Sequence, residues 1–377
     1  MQEEDTLINK ERIVDEFCEL VSIDAPTYRE RKLADVLTNK LEALGFTVTE
    51  DQAGTEIGGD CGNLFATLPG TLKGEPLLFS AHMDTVTPAI GKRAIVHENG
   101  KITSGGDTVL GADDVAGIVS ILEGIRSLIE DKTPHRSIEL FFAVAEEVFS
   151  KGCYAFDQNK IQAKEAFILD LSGKVGRAAF QAPSIISFEC QIQGKAAHAG
   201  FSPETGKHAI MIASRAIARL ELGKTKDGMT VNIGTIQGGE AVNIVPERCL
   251  IKGEVRGFDH EAALAKVEQI RQVFTKETEE IGAKLVWETM VNCKSYQMNP
   301  LDLPGERYSS ACKMAGLEPS FEVTYGGSDF NILAQRGMIG LVLSNAMNDV
   351  HSCEEHSHVD ELVKSAQIVS FIMCDPR

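Results

Sequence analysis

The sequence contains no run of about 18 uncharged apolar residues, so nothing in it reads as a membrane-spanning helix. It opens MQEEDTLINKER, acidic and polar, without the basic start and apolar stretch of a secretory leader, which predicts a cytoplasmic protein. Positive charge is in short supply: 37 Lys and Arg stand against 55 Asp and Glu, a net charge of −18. Such a field repels phosphate backbones and argues against nucleic acid as a partner; it suits solubility, and equally a protein that collects divalent cations. None of the 9 cysteines (18, 61, 153, 190, 249, 293, 312, 353 and 374) stands in a C-x-x-C pair, and the count is odd. This predicts reduced thiols, most of them buried as small hydrophobes. Ser104-Gly105-Gly106 and Gly238-Gly239 complete neither G-x-G-x-x-G nor a phosphate loop, which argues against a nucleotide-binding enzyme. Internal repeats and low-complexity segments are also absent.

What is present is a well-supplied core: 377 residues, 43% apolar and 24% charged, enough for two domains with one enlarged. The first 45 residues read as helical, with Thr27-Tyr28-Arg29-Glu30 as a capping box ahead of Leu33, Leu37 and Leu41 and with Gly45 as the stop. Strand-like runs at Leu77–Ala81, Ile138–Ala145, Ala166–Leu169 and Ile339–Leu343 alternate with helical stretches, one opening at Asp113. That rhythm predicts an α/β domain with a mixed, largely parallel sheet. Between 180 and 293 the order becomes strand (184–192), helix (204–222), two strands (229–237, 248–256), helix (260–281) and strand (285–290). This is the β-α-β-β-α-β order of a ferredoxin-like α+β domain. The expected organisation is therefore a catalytic domain in two parts, 1–179 and 294–377, with an inserted domain at 180–293.

Several of these strands end in potential metal ligands: His82 and Asp84, Glu146 and Glu147, and Asp170. In open α/β sheets ligands bind beyond the carboxyl ends of the strands, so residues distant in sequence can converge there. His82 and Asp84 share one side of an extended chain, where an imidazole can ligate while the carboxylate orients it, or an Asp can simply cap a turn. Asp113-Asp114 follows Gly111-Ala112 at a helix start; a carboxylate here can bridge two cations or cap the helix. Of the adjacent Glu146 and Glu147, one can ligate while the other stays free as general base. HSCEEHSH contains His351, His356 and His358, and spacing alone does not choose among them.

These residues lie in motifs that resemble the M20 family of metallopeptidases, in its tripeptide aminopeptidase (peptidase T)-like branch, over nearly the whole chain. The motifs are SAHMDTV (80–86), GADDVAGI (111–118), AEEVFSKG (145–152), FILD (167–170), GKAAHAG (194–200) and GGEAVNIVP (238–246). GEVRGFD (253–259), YGGSDFN (325–331) and HSCEEH (351–356) complete the set. The resemblance implies two Zn2+ ions per chain, with Mn2+ or Co2+ chemically compatible. His82, Asp113 and Asp170 would hold one ion, and Asp113, Glu147 and His351 the other, with Asp113 bridging. His351 is chosen over its neighbours because the family's last ligand is followed four residues later by Glu, here Glu355. Glu146 would be the general base acting on a bridging water that serves as nucleophile, and Asp84 the acid beside the ligating His82. The inserted domain would be a lid and dimerisation domain, making the protein a homodimer. Its His198 would reach the partner's site and help stabilise the oxyanion, Asn243 and Arg256 would grip the substrate carboxylate, and Gly326, Gly327 and Ser328 would shape a loop beside the substrate.

Two departures from the family pattern stand out. Val115 occupies a position where relatives often carry Lys, and Asp170 sits in FILDLSGKVG rather than a glycine-rich segment. The implied activity is zinc-dependent exopeptidase action on short peptides, aminopeptidase-like. The alternatives are a carboxypeptidase or N-acyl amino acid deacylase and, outside enzymes, a peptide-binding protein on the same scaffold.

Overall fold

The computed structural model describes residues 8–377. The chain runs α1 (Lys10–Val21), α2 (Arg31–Ala43), β1 (Thr47–Glu50), α3 (Ala53–Ile57), β2 (Leu64–Leu68), β3 (Leu77–His82), β4 (Ala94–Val96), β5 (Lys101–Ser104), α4 (Ala112–Glu130), β6 (Ile138–Ala143), α5 (Lys151–Ala155), β7 (Glu165–Leu171) and β8 (Arg177–Ala182). Then follow β9 (Ser184–Gln193), α6 (Ala209–Ile217), β10 (Gly223–Lys224), β11 (Thr230–Gly238), β12 (Arg248–Gly257), α7 (His260–Ile281) and β13 (Lys284–Cys293). The rest comprises β14 (Tyr296–Gln297), α8 (Leu303–Met314), β15 (Ser320–Val323), α9 (Phe330–Ala334), β16 (Ile339–Ser344), β17 (His356–His358) and α10 (Val359–Met373).

Two units form. One contains the described residues through Phe180 together with Gln297–Thr324 and Ser328–Arg377; the other contains Gln181–Tyr296 and Tyr325–Gly327. The first is built on a nine-stranded sheet in the order β1-β2-β6-β3-β7-β16-β8-β14, with β15 added against β8. Its centre, β6-β3-β7-β16, is parallel, and the flanking pairs β1–β2, β2–β6 and β16–β8 are antiparallel. Every residue of β3 (LLFSAH) and of β6 (IELFFA) is buried, as expected for strands covered on both faces. Phe79 stacks on Phe167 across β3 and β7 at 5.5 Å. α4 is buried almost all round, a core helix rather than a surface one.

The second unit has a five-stranded antiparallel sheet in the order β10-β11-β12-β9-β13. Without the edge strand β10 this is the ferredoxin-like arrangement that the β-α-β-β-α-β order predicts. Its own core joins Ile186, Phe188 and Ile192 of β9 to Ile212 of α6 and Val267, Ile270 and Phe274 of α7.

Several expectations are corrected. The N-terminal helical region is two helices, because Ala25 and Pro26 leave the helix to pair with Thr85; residues 1–7 lie outside the described residues. Thr27 makes no capping box. Its hydroxyl donates to Asp84 Oδ2 at 2.9 Å, and Glu30 Oε1 accepts the N–H groups of Tyr28 and Ala145. The helix expected at 204–222 is confined to Ala209–Ile217: Pro203–Thr205 forms a single 3-10 turn, and Lys207 then bridges to Lys195. Asp113 and Asp114 fall within the span of α4 but have non-helical dihedrals.

Candidate metal centre

The parallel strands deliver their ends to one place. His82 is the last residue of β3, and Asp170 the penultimate residue of β7; the register that sets Ser80 opposite Ile168 brings the two alongside. Glu146 and Glu147 follow the end of β6, whose Ala143 is opposite His82.

His82 Nδ1 lies 2.9 Å from the backbone oxygen of Asp84. A carbonyl only accepts, so Nδ1 carries hydrogen, and whenever the ring is neutral Nε2 presents a lone pair. That Nε2 is 2.9 Å from Asp113 Oδ1 and 4.0 Å from Asp170 Oδ1. The other carboxylate oxygen, Asp113 Oδ2, is 3.2 Å from His351 Nε2, which is itself 3.0 Å from Glu147 Oε2. Asp113 thus stands between two donor groups, one oxygen toward each. Lone pairs facing one another at these distances need a proton or a cation between them.

The supporting bonds are long-range. Glu355 Oε1 accepts the Asp113 N–H at 2.9 Å, and its Oε2 accepts the Gly111 N–H at 2.7 Å. Gly111 has φ 81°, and a Cβ there would meet Lys92 Cε at 2.9 Å, so glycine is required. Asp84 Oδ1 accepts the Glu146 N–H at 2.9 Å and Oδ2 the Glu147 N–H at 3.2 Å. Asp84 thereby holds the turn that presents both glutamates; its carboxylate is 3.5 Å from His82 Nδ1, farther than its own carbonyl. Ala145, Phe149, Ser150 and His351 all have left-handed φ angles (52°, 70°, 52° and 61°), so strained backbone gathers at this site.

Asp114 lies in the same cluster: one ligand atom each from His82, Asp114 and Asp170 fall within 4.8 Å of one another, as do those of His82, Asp113 and Glu147. Its oxygens are already engaged, however, by the His82 N–H at 3.1 Å, the Gly117 N–H at 3.2 Å and Asn345 Nδ2 at 2.5 Å. Asp114 therefore braces His82, and Asp113 has the oxygens to spare.

The electrostatics match this division. Burial opposes ionisation of Asp113, but hydrogen bonds from His351 and His82 outweigh it and hold the carboxyl well below its ordinary range. Burial raises Glu146, with Asp329, Glu147 and Asp84 adding to it against the pull of His82. Asp170 is raised by burial first and then by Glu146. Bonds to Asp113 and Glu147 push His351 up to about 10. Glu147 Oε1 is buried without a hydrogen-bond partner. Two imidazoles and three carboxylates, one of them with this orphaned oxygen, form a donor set suited to divalent cations.

Sequence reasoning missed Asp329, which is buried, has Oδ1 without a partner and is raised to about 7 by burial. It also missed Asn345, which donates to Asp114 and to the Leu169 carbonyl. Asn345 directly follows β16 and could have been found by the strand-end rule that picked out the acids. His356 and His358 pair with β5, and His358 caps α10.

His198, Asn243, Arg256 and Gly327 belong to the second unit, Ser328 to the first. His198 is exposed, stacks on Phe201 at 4.1 Å and accepts the N–H groups of Gly200 and Phe201 at Nδ1. Its neutral ring therefore offers Nε2–H as a donor. Asn243 is exposed and its carbonyl accepts the Ala199 N–H. Arg256 bonds Glu254 Oε1 at 2.7 Å and the Tyr325 carbonyl at 2.8 Å. Gly327 is exposed; Ser328 is buried, its Oγ without a hydrogen-bond partner. Among the described residues no helix is long and apolar enough to cross a membrane.

Comparison with known proteins agrees with this geometry. Residues 182–282 match the M20 peptidase dimerisation domain, and residues 63–204 match peptidase family M28. The chain is 35% identical to the uncharacterized protein YqjE of Bacillus subtilis over 97% of its own length and 99% of that protein's. It is similar to the crystal structure of aminopeptidase PepT from Bacillus cereus (38% identity, TM-score 0.89, covering 97% of this chain and 98% of that one). It is also similar to a tripeptidase from Staphylococcus aureus (32% identity, TM-score 0.94, covering 98% of each). Similarity at this level along nearly the full length, together with the matched dimerisation domain, places the chain in the M20 metallopeptidase family, in its peptidase T-like branch.

Proposed function

We propose that the protein is a dinuclear metallo-aminopeptidase that removes residues from short peptides, tripeptides foremost. The observation that carries this reading is the two-sided placement of Asp113, between His82 at 2.9 Å and His351 at 3.2 Å. His82, Asp113 and Asp170 would hold one cation and Asp113, Glu147 and His351 the other, both Zn2+ in the first instance. Bound dications supply Lewis acidity toward a carbonyl and lower the proton affinity of a nearby water.

Glu146 is the general base. Its hydrogen bond is to the Ser150 hydroxyl at 3.1 Å, and no metal-ligating residue claims it. It takes a proton from the attacking water and returns it to the leaving amine; its raised proton affinity suits both steps. Asp84 positions Glu146 and Glu147 through their backbone N–H groups. His198 offers Nε2–H for the developing oxyanion at the partner's site, Asn243 and Arg256 meet the substrate carboxylate, and Gly327 and Ser328 border the substrate. The second unit, matched as a dimerisation domain, supports a homodimer. Ala-Ala-Ala and its N-acetylated form, assayed with Zn2+, Mn2+ or Co2+ added, test the reading. The free tripeptide should be cleaved from its amino end, and preference for the acetylated one would instead make the protein a deacylase or carboxypeptidase.

A further inference from the structure

A second group of ligating atoms lies apart from the metal centre. A carboxylate oxygen of Glu30, one of Asp60 and the sulfur of Cys61 fall within 4.8 Å of one another. Glu30 is fully buried at 0% exposure. Its Oε1 is committed to the Tyr28 N–H at 2.9 Å and the Ala145 N–H at 3.1 Å. Its Oε2 is buried and has no hydrogen-bond partner. A buried carboxylate oxygen left alone is costly, so the group must hold a proton or meet a cation. Cys61 is 4% exposed, while Asp60 is exposed and gives access from solvent.

The loop is closely packed. A Cβ on Gly54 would come within 2.0 Å of the Cys61 carbonyl oxygen, and one on Gly62 within 2.2 Å of the Asp51 carbonyl oxygen, so both glycines mark close backbone contacts. Asp60 Oδ1 accepts the Arg31 N–H at 3.1 Å. The charge of the Arg31 guanidinium also acts on Cys61, but it is paired with Glu50 at 2.8 Å and Asp35 at 2.7 Å, although its Nε is buried without a hydrogen-bond partner.

We propose that Glu30, Asp60 and Cys61 form a further cation site, selective for a borderline divalent ion such as Zn2+ or Co2+. A sulfur ligand disfavours Mg2+ and Ca2+, and three protein ligands leave a position for water. On binding, the sulfur–metal bond forms as the thiol proton of Cys61, and any proton on Glu30, passes to solvent. Burial and the nearby carboxylate of Glu30 raise the thiol, so it keeps that proton until a cation arrives. The site shares Glu30 with Ala145, the left-handed residue immediately before Glu146. An ion there would fix the carboxylate that holds the entry to the catalytic turn.

The test is Co2+ titration of the full-length protein, reduced with a phosphine, in a background carrying Cys353→Ser to remove the exposed thiol. The expected result is a near-ultraviolet thiolate-to-cobalt charge-transfer band, with Co2+ bound beyond the metal centre's complement. Cys61→Ser should abolish the band and that extra binding. Asp60→Asn, at an exposed position, should keep the fold and shift the band to about 10-fold higher Co2+ or more. Absence of the band at saturating Co2+, or a band unchanged by Cys61→Ser, overturns the proposal. The metal centre has only nitrogen and oxygen donors and gives no thiolate band, so failure of the dinuclear reading would leave this readout unaffected.

Discussion

Glu355 Oε1 accepts the backbone N–H of Asp113 at 2.9 Å, across 242 positions of sequence. Its other oxygen takes the Gly111 N–H at 2.7 Å, so one buried side chain ties the His351 loop to the turn carrying Asp113. Glu355→Ala leaves two buried donors unmet, at about 1–3 kcal/mol each. Metal affinity should fall by about 10–100-fold, read by competition with a chromogenic chelator, with Glu355→Gln intermediate because it keeps one acceptor oxygen. Unchanged affinity in the alanine variant would refute this tie.

Glu146→Gln keeps the size of the side chain and removes the base. Turnover should drop by about 10²–10⁴ while elemental analysis finds the same metal content. Metal loss with the rate retained would mean that Glu146 is a ligand.

Chelation should destabilise the fold, because Asp113, Glu147, Asp170 and the neighbouring Glu146 then repel one another within a buried cluster. At cation concentrations about 100-fold above the dissociation constant, each site adds about 2.7 kcal/mol. Calorimetry should show Tm falling with EDTA and recovering with Zn2+, Mn2+ or Co2+ better than with Mg2+.

Away from the site, Glu16 is 5% exposed and bound bidentately by Arg126 at 2.9 Å, with Lys40 at 3.2 Å. Burial pushes its carboxyl up, but Arg126 and Lys40 prevail and hold it below the ordinary 4.5. The folded value lies under the unfolded one, so the stabilisation is complete above the unfolded value and disappears as pH falls through the folded one. Glu16→Gln should cost about 2 kcal/mol at pH 7, between exposed and fully buried pairs. In chelated protein the Tm gap to wild type should narrow steadily as pH falls below the ordinary carboxylate value of 4.5. A gap that persists in acid would rule out the linkage.

If His198 serves the partner's site, mixed dimers of Glu146→Gln and His198→Ala chains contain one intact site. Unfolding and refolding the two inactive variants together should restore about a quarter of wild-type activity, since half the dimers are mixed and each has one working site. No recovery would place His198 at its own chain's site.

The chemistry at the strand ends was legible in the sequence because residue type and strand termini are local properties. His82, Glu146, Glu147 and Asp170 each follow or close an apolar run, and runs such as LLFSAH and IELFFA declare themselves as buried strands. Resemblance to a family then singled out His351. The inserted β-α-β-β-α-β order was readable for the same reason: it depends on alternation along the chain.

Which acid faces which imidazole was decided only by the tertiary structure. Asp113 and Asp114 are adjacent and chemically equivalent. Amide donors from His82, Gly117 and Asn345 occupy Asp114, while the two oxygens of Asp113 face the ring nitrogens of His82 and His351. The capping box at Thr27 failed in the same way, since a hydroxyl that could cap its own helix found Asp84 instead. Hydrogen-bond partners brought in from 32 to 244 positions away carry no local signature. The sequence by itself determined the donors available to a metal, whereas sheet register and competition for buried N–H groups determined which of them remain free to bind it.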